Sequence, residues 1–276
     1  MATITCVTEN TARTGSRFWG EHGLAFCIET DQGCVMFDTG QTGAVLLHNL
    51  ALLGKTLHDI DAVVLSHAHD DHTGGLPVVL AQRLGLPLYA SPDIECPRYS
   101  RKDDRYRYIG MPLSLTALAQ LADLRLSADP VEVLPGVWTT GEIHTRPEPE
   151  GRSASHFVPD GEGWRPDPYQ DDLSMVVETG AGLVVVLGCC HAGLLNTLAH
   201  VTRVFGRQPI AVLGGTHLSS AAGMALQHVI DVLQETHPTL RLYPNHCTGL
   251  HAYVALAGVL GDNVQPYPAG TTLHFA

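Results

Sequence analysis

Three imidazoles and two carboxylates fall within one six-residue run, His67-Ala68-His69-Asp70-Asp71-His72. The apolar stretch before it, Asp61 to Leu65, reads as a buried strand, and Gly74 to Leu84 after it suggests a helix. If His67 and His69 continue the extended backbone, its two-residue period sets both rings on one side, where they can share a cation. Asp71 and His72 fall where the chain turns, so they can point at a neighbouring position and hold a second ion. Imidazole with carboxylate suits Zn²⁺ first, with Mn²⁺ or Fe as alternatives. Two ions about 3.5–4 Å apart would bind a shared water, lower its pKa and clamp an anionic transition state. The tract is internal and closes a strand, so it is not a tag.

Other strand ends carry ligand types as well. Asp38-Thr39-Gly40 follows the apolar run Cys34 to Phe37. Asp38 could orient metal-site histidines or cap a helix near Val45 to Leu53, and the residues leave both roles open. Gly188-Cys189-Cys190-His191, Gly214-Gly215-Thr216-His217 and Pro244-Asn245-His246-Cys247-Thr248-Gly249 each close a further strand. His191 and His246 read as metal ligands because they stand in register with the main run. Cys189 is either a thiolate bridging two ions or an inert buried thiol. Asp71 and His217 are the candidate catalytic groups. His22, His48, His58, His200, His228, His237, His251 and His274 read as structural or solvated.

The elements that must position these residues follow from periodicity. Ile4 to Val7, the hairpin Gly23 to Phe37, Asp61 to Leu65 and Leu86 to Ala90 read as strands, with a helix at Pro77 to Leu84. Residues 94–122 interrupt this βαβ rhythm with an arginine- and tyrosine-rich segment and a helix from Ser114 to Leu121. Its mixed charges predict a solvated face; alternatively it forms a rim where Arg105 and Arg107 bind phosphate or carboxylate and Tyr106 stacks on a flat ring. Short strands follow at Leu124 to Leu126, Val131 to Leu134 and Val137 to Thr140. Gly141 to Asp172 is rich in Gly, Pro and charge without periodicity, which predicts an active-site loop in which His144 or His156 could touch substrate. A hairpin at Leu173 to Leu187 precedes three units of strand, polar strand end and helix. In the helix predicted from Ser219 to Glu235, with Ser219 as N-cap, Ala222, Leu226, Val229, Ile230 and Leu233 make one apolar face. Strand-end residues on one edge of a layered sheet converge, so positions 38, 67–72, 188–191, 214–217 and 244–249 can meet in space.

With 276 residues, 45% of them hydrophobic, the chain can bury one large core, and a single domain over 1–276 is expected. No run approaches a membrane span, and the first residues lack a signal-peptide pattern, so a cytoplasmic protein without a membrane partner is expected. Seven cysteines without a CxxC pair need no disulfide there. The formal charge of −12 argues against nucleic acid as a partner. Nine of the sixteen basic residues nevertheless fall between positions 98 and 165, which allows a local site for a small anion. Oligomeric state is not legible.

Together, Asp38-Thr39-Gly40, the histidine run, Gly188-Cys189 and His246 resemble the ordered strand-end motifs of the metallo-β-lactamase superfamily across nearly the whole chain. The resemblance implies an α/β fold, a four-layer αβ/βα sandwich with a two-metal site at one edge. It places His67 and His69 on one ion and Asp71, His72 and His246 on the other, with Asp38 beneath. Two departures stand out. The family's third-motif histidine has no clean counterpart before Leu173, His144 being nearest, and Cys189 replaces the usual bridging aspartate. His191 looks like the missing ligand. Asp171-Asp172-Leu173-Ser174, Gly188 to Gly193, Gly214 to Leu218 and His246 to Gly249 look like one subgroup, named for a dihydropterin and ribofuranosylaminobenzene phosphate synthase. That subgroup implies a transferase-type condensation on a phosphorylated, aromatic small anion. A hydrolase of phosphodiester or acyl bonds and a non-catalytic metal or ligand sensor are the alternatives.

Overall fold

The computed structural model describes residues 1–221 and 223–276. Antiparallel strands β1 (Ala2–Thr8), β2 (Ala25–Thr30) and β3 (Gly33–Phe37) open the chain, followed by helix α1 (Gly43–Leu52). Next come β4 (Ala62–Val64), the single turn α2 (Asp70–Thr73), α3 (Leu76–Gln82) and β5 (Leu86–Ala90). Strands β6 (Tyr99–Lys102) and β7 (Arg105–Tyr108) form a hairpin, followed by α4 (Leu115–Leu121), β8 (Ala122–Leu126), β9 (Glu132–Leu134) and β10 (Val137–Thr139). Two further hairpins, β11 (His156–Asp160) with β12 (Gly163–Pro166) and β13 (Ser174–Thr179) with β14 (Gly182–Leu187), lead into the second half. There α5 (Leu194–Phe205), β15 (Pro209–Gly215), α6 (Met224–Thr236), β16 (Arg241–Asn245) and α7 (Leu250–Leu260) alternate before β17 (Thr272–Phe275) closes the chain.

Two mixed sheets result, one ordered β17-β1-β2-β3-β4-β5-β8 and the other β16-β15-β14-β13-β10-β9. Phe26, Ile28, Val35 and Phe37 of the first face Met175, Val177, Val184 and Val186 of the second across one buried core. The opposite face of the first sheet packs on α1, α3 and α4 through Leu46, Leu50, Val79, Leu80 and Leu118. The opposite face of the second packs on α5, α6 and α7 through Leu198, Val201, Val229, Ile230 and Leu256. This is the four-layer αβ/βα sandwich. A strand covered on both faces has no wet side, which is why Leu183 to Leu187 reads as one unbroken apolar run. Among the described residues no helix is long and apolar enough to cross a membrane.

Several sequence expectations are corrected. The segments 94–122 and 141–172 are not separate features: β6 and β7 from the first and β11 and β12 from the second pair into one four-stranded antiparallel sheet, so the supposed loop contains a β-hairpin. Arg98 is not on a solvated face. It is 1% exposed and ion-paired with Asp93, Asp167 and Asp171. Ser219 does not cap α6, which starts only at Met224 after Gly223 at φ +56°; the Ser219 amide donates to the Cys247 carbonyl instead. Leu226, Val229, Ile230 and Leu233 are buried as expected, and the Ala222 position lies outside the described residues.

Candidate metal centre

The ends of β3, β4, β14, β15 and β16 gather at one edge of the sandwich. Their backbones bend sharply there. Asp38, Tyr169, Cys190, His217 and His246 hold φ between 48° and 59°. Non-glycine residues in this region are strained by about 1–3 kcal/mol, a cost that clusters at functional sites. Gly188 is required by close approach, since a Cβ there would lie 2.2 Å from Ser66 Oγ and 3.3 Å from Asp38 Oδ2.

Asp38 sits beneath the histidine run. It accepts hydrogen bonds from the Ser66 amide, the Ser66 hydroxyl and His72 Nδ1–H, each at 2.7 Å. It does not cap α1, whose first turn is held by the Thr42 hydroxyl. With its proton committed to Asp38, Ser66 Oγ accepts from His67 Nδ1–H at 2.8 Å. The same logic recurs at the other strand ends. His191 Nδ1–H donates to the Gly151 carbonyl at 2.6 Å, and His246 Nδ1–H to Asn10 Oδ1 at 3.0 Å. In all four imidazoles the bond at Nδ1 fixes the tautomer and leaves Nε2 as a bare lone pair.

Those lone pairs converge. His72 Nε2 lies 3.2 Å from His246 Nε2 and 3.2 Å from Cys189 Sγ. His67 Nε2 lies 2.9 Å from His69 Nδ1. Asp71 Oδ2 stands 3.6 Å from His72 Nε2 and 3.3 Å from His246 Nε2. His67, Cys189 and His191 present donor atoms within 4.8 Å of one another, and so do His72, Cys189 and His246. Cys189 is common to both groups. His191 Nε2 is buried without a partner. Lone pairs packed this closely repel one another unless a cation sits among them, so the residues fit divalent metal.

Electrostatics agree with that fit. Burial, then the neighbouring imidazole charges, hold His67, His69 and His191 well below the usual histidine range, leaving them neutral as ligands must be. Burial would lower His72 too, but Asp71 and Asp38 carry it up to about 9, so His72 differs from the other three: without metal it holds a proton on Nε2 that a cation must displace. Asp71 stays well below the carboxylate range, its burial outweighed by His72 and His246.

Of the other sequence candidates, Arg107, His156 and His217 line the same cavity of about 380 Å³ as His69, Asp71, Cys189 and His246. Tyr106 does not; it stacks on Trp164 with ring centroids 3.9 Å apart. Arg105 is exposed on β7. His144 is 71% exposed beside Glu142 and does not line this cavity. Three residues at the cavity escape sequence reasoning. His22, 3.4 Å from Asp71 Oδ2, and Asn10 come from an aperiodic loop that gives no signal. Cys247 does give one, since it follows His246 at a strand end. Burial raises its thiol pKa, but hydrogen bonds with Cys189 and His217 outweigh it and hold the group well below the thiol range.

The family model described as the metallo-beta-lactamase superfamily matches residues 19–189. The chain is 28% identical over 286 residues to a 7,8-dihydropterin-6-methyl-4-(beta-D-ribofuranosyl)-aminobenzene-5'-phosphate synthase of Methanocaldococcus jannaschii, covering 99% of this chain and 96% of that one. Over 72 residues, 26% of each chain, it is 35% identical to an exodeoxyribonuclease of Streptococcus pneumoniae. A solved structure described as a metal-dependent hydrolase of the beta-lactamase superfamily superposes with a TM-score of 0.85 over all of both chains, at 24% identity.

Proposed function

The chain belongs to the metallo-beta-lactamase superfamily, and from that premise we propose that it is a dinuclear-metal enzyme performing a transferase-type condensation on a phosphorylated heterocyclic substrate. The observation that carries the metal reading is the set of four imidazoles whose Nδ1–H groups are each bound to a protein oxygen while their Nε2 lone pairs converge around Cys189. His67, His69, His191 and Cys189 would hold one ion; His72, His246, Asp71 and Cys189 would hold the other. Ions bound there would supply Lewis-acid chemistry, polarising a substrate oxygen or leaving group and neutralising developing negative charge.

The chain's own residues do the rest. Asp38, through Ser66 and His72, fixes the orientation of the ligands from below. Asp71 faces the cavity and His217 lines its wall, where they can orient the reacting group and hold a proton on it. The condensation is supported by the near full-length similarity to the synthase, and the phosphorylated aromatic substrate by that relative's name alone.

Elemental analysis of protein purified without added metal should find about two transition-metal ions per chain. Amine condensation with the relative's substrates, lost in His69→Ala, is the expected activity. Turnover of generic phosphodiesters or acyl substrates alone would replace it with hydrolysis, and ligand binding without any turnover would make the protein a sensor. Failure to hold transition metal after reconstitution would overturn every enzymatic reading.

A further inference from the structure

The four-stranded sheet presents one face to the metal-centre cavity, and its register lines up three hydrogen-bond donors. Ser100 on β6 pairs with Arg107 on β7 and with His156 on β11. Directly paired residues in an antiparallel sheet point to the same side, on strands about 4.8 Å apart. All three line the cavity.

The hydrogen-bond chain behind His156 decides what it offers. The Ser153 amide donates to Tyr169 Oη at 3.2 Å, and Tyr169 Oη lies 3.0 Å from His156 Nδ1. The phenol has accepted from Ser153 and its own proton is free to go to Nδ1; with that bond made, His156 carries hydrogen on Nε2 and offers a donor there. Arg98 and Arg101 are tied to carboxylates, whereas Arg107 has no ion-pair partner among the described residues. Asp70 lines the same cavity without pairing to it. The row thus presents a guanidinium, a hydroxyl and an Nε2–H, all able to donate.

We propose that Arg107, Ser100 and His156 form a subsite for the phosphate group of the substrate, separate from the metal ligands. Three donors spread over three strands outnumber the two oxygens of a carboxylate and match the three terminal oxygens of a phosphate monoester, for which the guanidinium fork is suited. The subsite deepens the reading of this cavity as a substrate site and rests on it.

Calorimetric titration of the metal-loaded protein with inorganic phosphate and with phenylphosphonate tests it. Arg107→Gln should weaken phenylphosphonate binding about tenfold, the scale of one charge-assisted hydrogen bond. His156→Phe should weaken it severalfold while His156→Gln, which keeps a donor, recovers part of the loss. Both Arg107→Gln and His156→Phe should retain wild-type metal content, which separates failure of the subsite from failure of the metal reading. In His69→Ala, phenylphosphonate affinity should stay within about threefold of wild type. Unchanged affinity in Arg107→Gln, loss of binding in His69→Ala alone, or binding of inorganic phosphate with none of the phosphonate would overturn the assignment.

Discussion

His72 Nδ1 lies 2.7 Å from Asp38 Oδ2, with both side chains fully buried. Asp38 is fixed by its own backbone at φ +59°, a conformation that asparagine also tolerates. Asp38→Asn therefore keeps the turn but exchanges one acceptor oxygen for a donor, so either the two groups on Oδ2, His72 Nδ1–H and the Ser66 hydroxyl that supports His67, or the Ser66 amide on Oδ1 loses its acceptor. Affinity for zinc, measured by competition with a chromophoric chelator, should fall about 10- to 100-fold while the far-ultraviolet dichroism is kept. Unchanged affinity would show that the ligands are oriented without Asp38.

The burial of Arg98 leads to a stability prediction. Its guanidinium reaches Asp93 at 2.6 Å, Asp171 at 2.8 Å and Asp167 at 3.0 Å, tying residues 93–98 to residues 167–171, and Asp171 also accepts the Ala68 amide between His67 and His69. Arg98→Met leaves carboxylates buried without a counter-charge, which costs about 3–5 kcal/mol in urea unfolding. Metal content should fall with it, because the loop carrying His67 and His69 loses its tether. A variant as stable as the wild type would mean that the carboxylates are neutralised in another way.

How much of this was legible in the sequence depends on the range over which each interaction acts. Strand ends such as Leu65-Ser66-His67 and Leu187-Gly188-Cys189 announce themselves, because a doubly covered strand is an apolar run and its polar exit is a local event. The pairing of Ser100 with His156 joins residues 56 positions apart, and β6, β7, β11 and β12 are four- or five-residue strands with charged, exposed positions, so no local window reveals them. Arg98 looked like one of several surface arginines because its partners are supplied by tertiary structure. Ser219 had the right chemistry for a cap, but it packs against Gly249, where a Cβ would lie only 2.8 Å from it, and the helix starts five residues later.

Asp172 gives a pH prediction. Burial raises its carboxyl pKa to about 6, the Ala192 amide on Oδ2 only partly opposing it, while Oδ1 is buried without a partner. The unfolded chain releases this proton near 4, so between about pH 4 and 6 the folded state holds the proton and the unfolded state does not. Stability in metal-free protein should therefore fall as pH rises through that window and level off above it, by up to about 3 kcal/mol. Asp172→Asn keeps the acceptor for Ala192 and cannot ionise. In denaturant titrations it should exceed the wild type by about that margin at pH 8 and match it near pH 4. A margin independent of pH would assign the effect to packing.

Cys189 is where the proposal of two ions is most exposed to test. Its sulfur lies 3.2 Å from His72 Nε2 and belongs to the donor groups of both candidate positions, yet it is 3% exposed, and burial, then Cys247, push its thiol pKa well above the usual range in the absence of metal. A cation displaces that proton only by direct coordination, because burial disfavours a free thiolate. Cobalt-loaded protein should therefore show the near-ultraviolet thiolate-to-cobalt charge-transfer band, and Cys189→Ser should abolish it while weakening binding of both ions. Cys247→Ser should keep the band, since Cys247 shares a donor group with Cys189 and His217 rather than with the four converging imidazoles. If instead the band survives in Cys189→Ser and disappears in Cys247→Ser, the ion sits at His217 and Cys247 and Cys189 does not bridge.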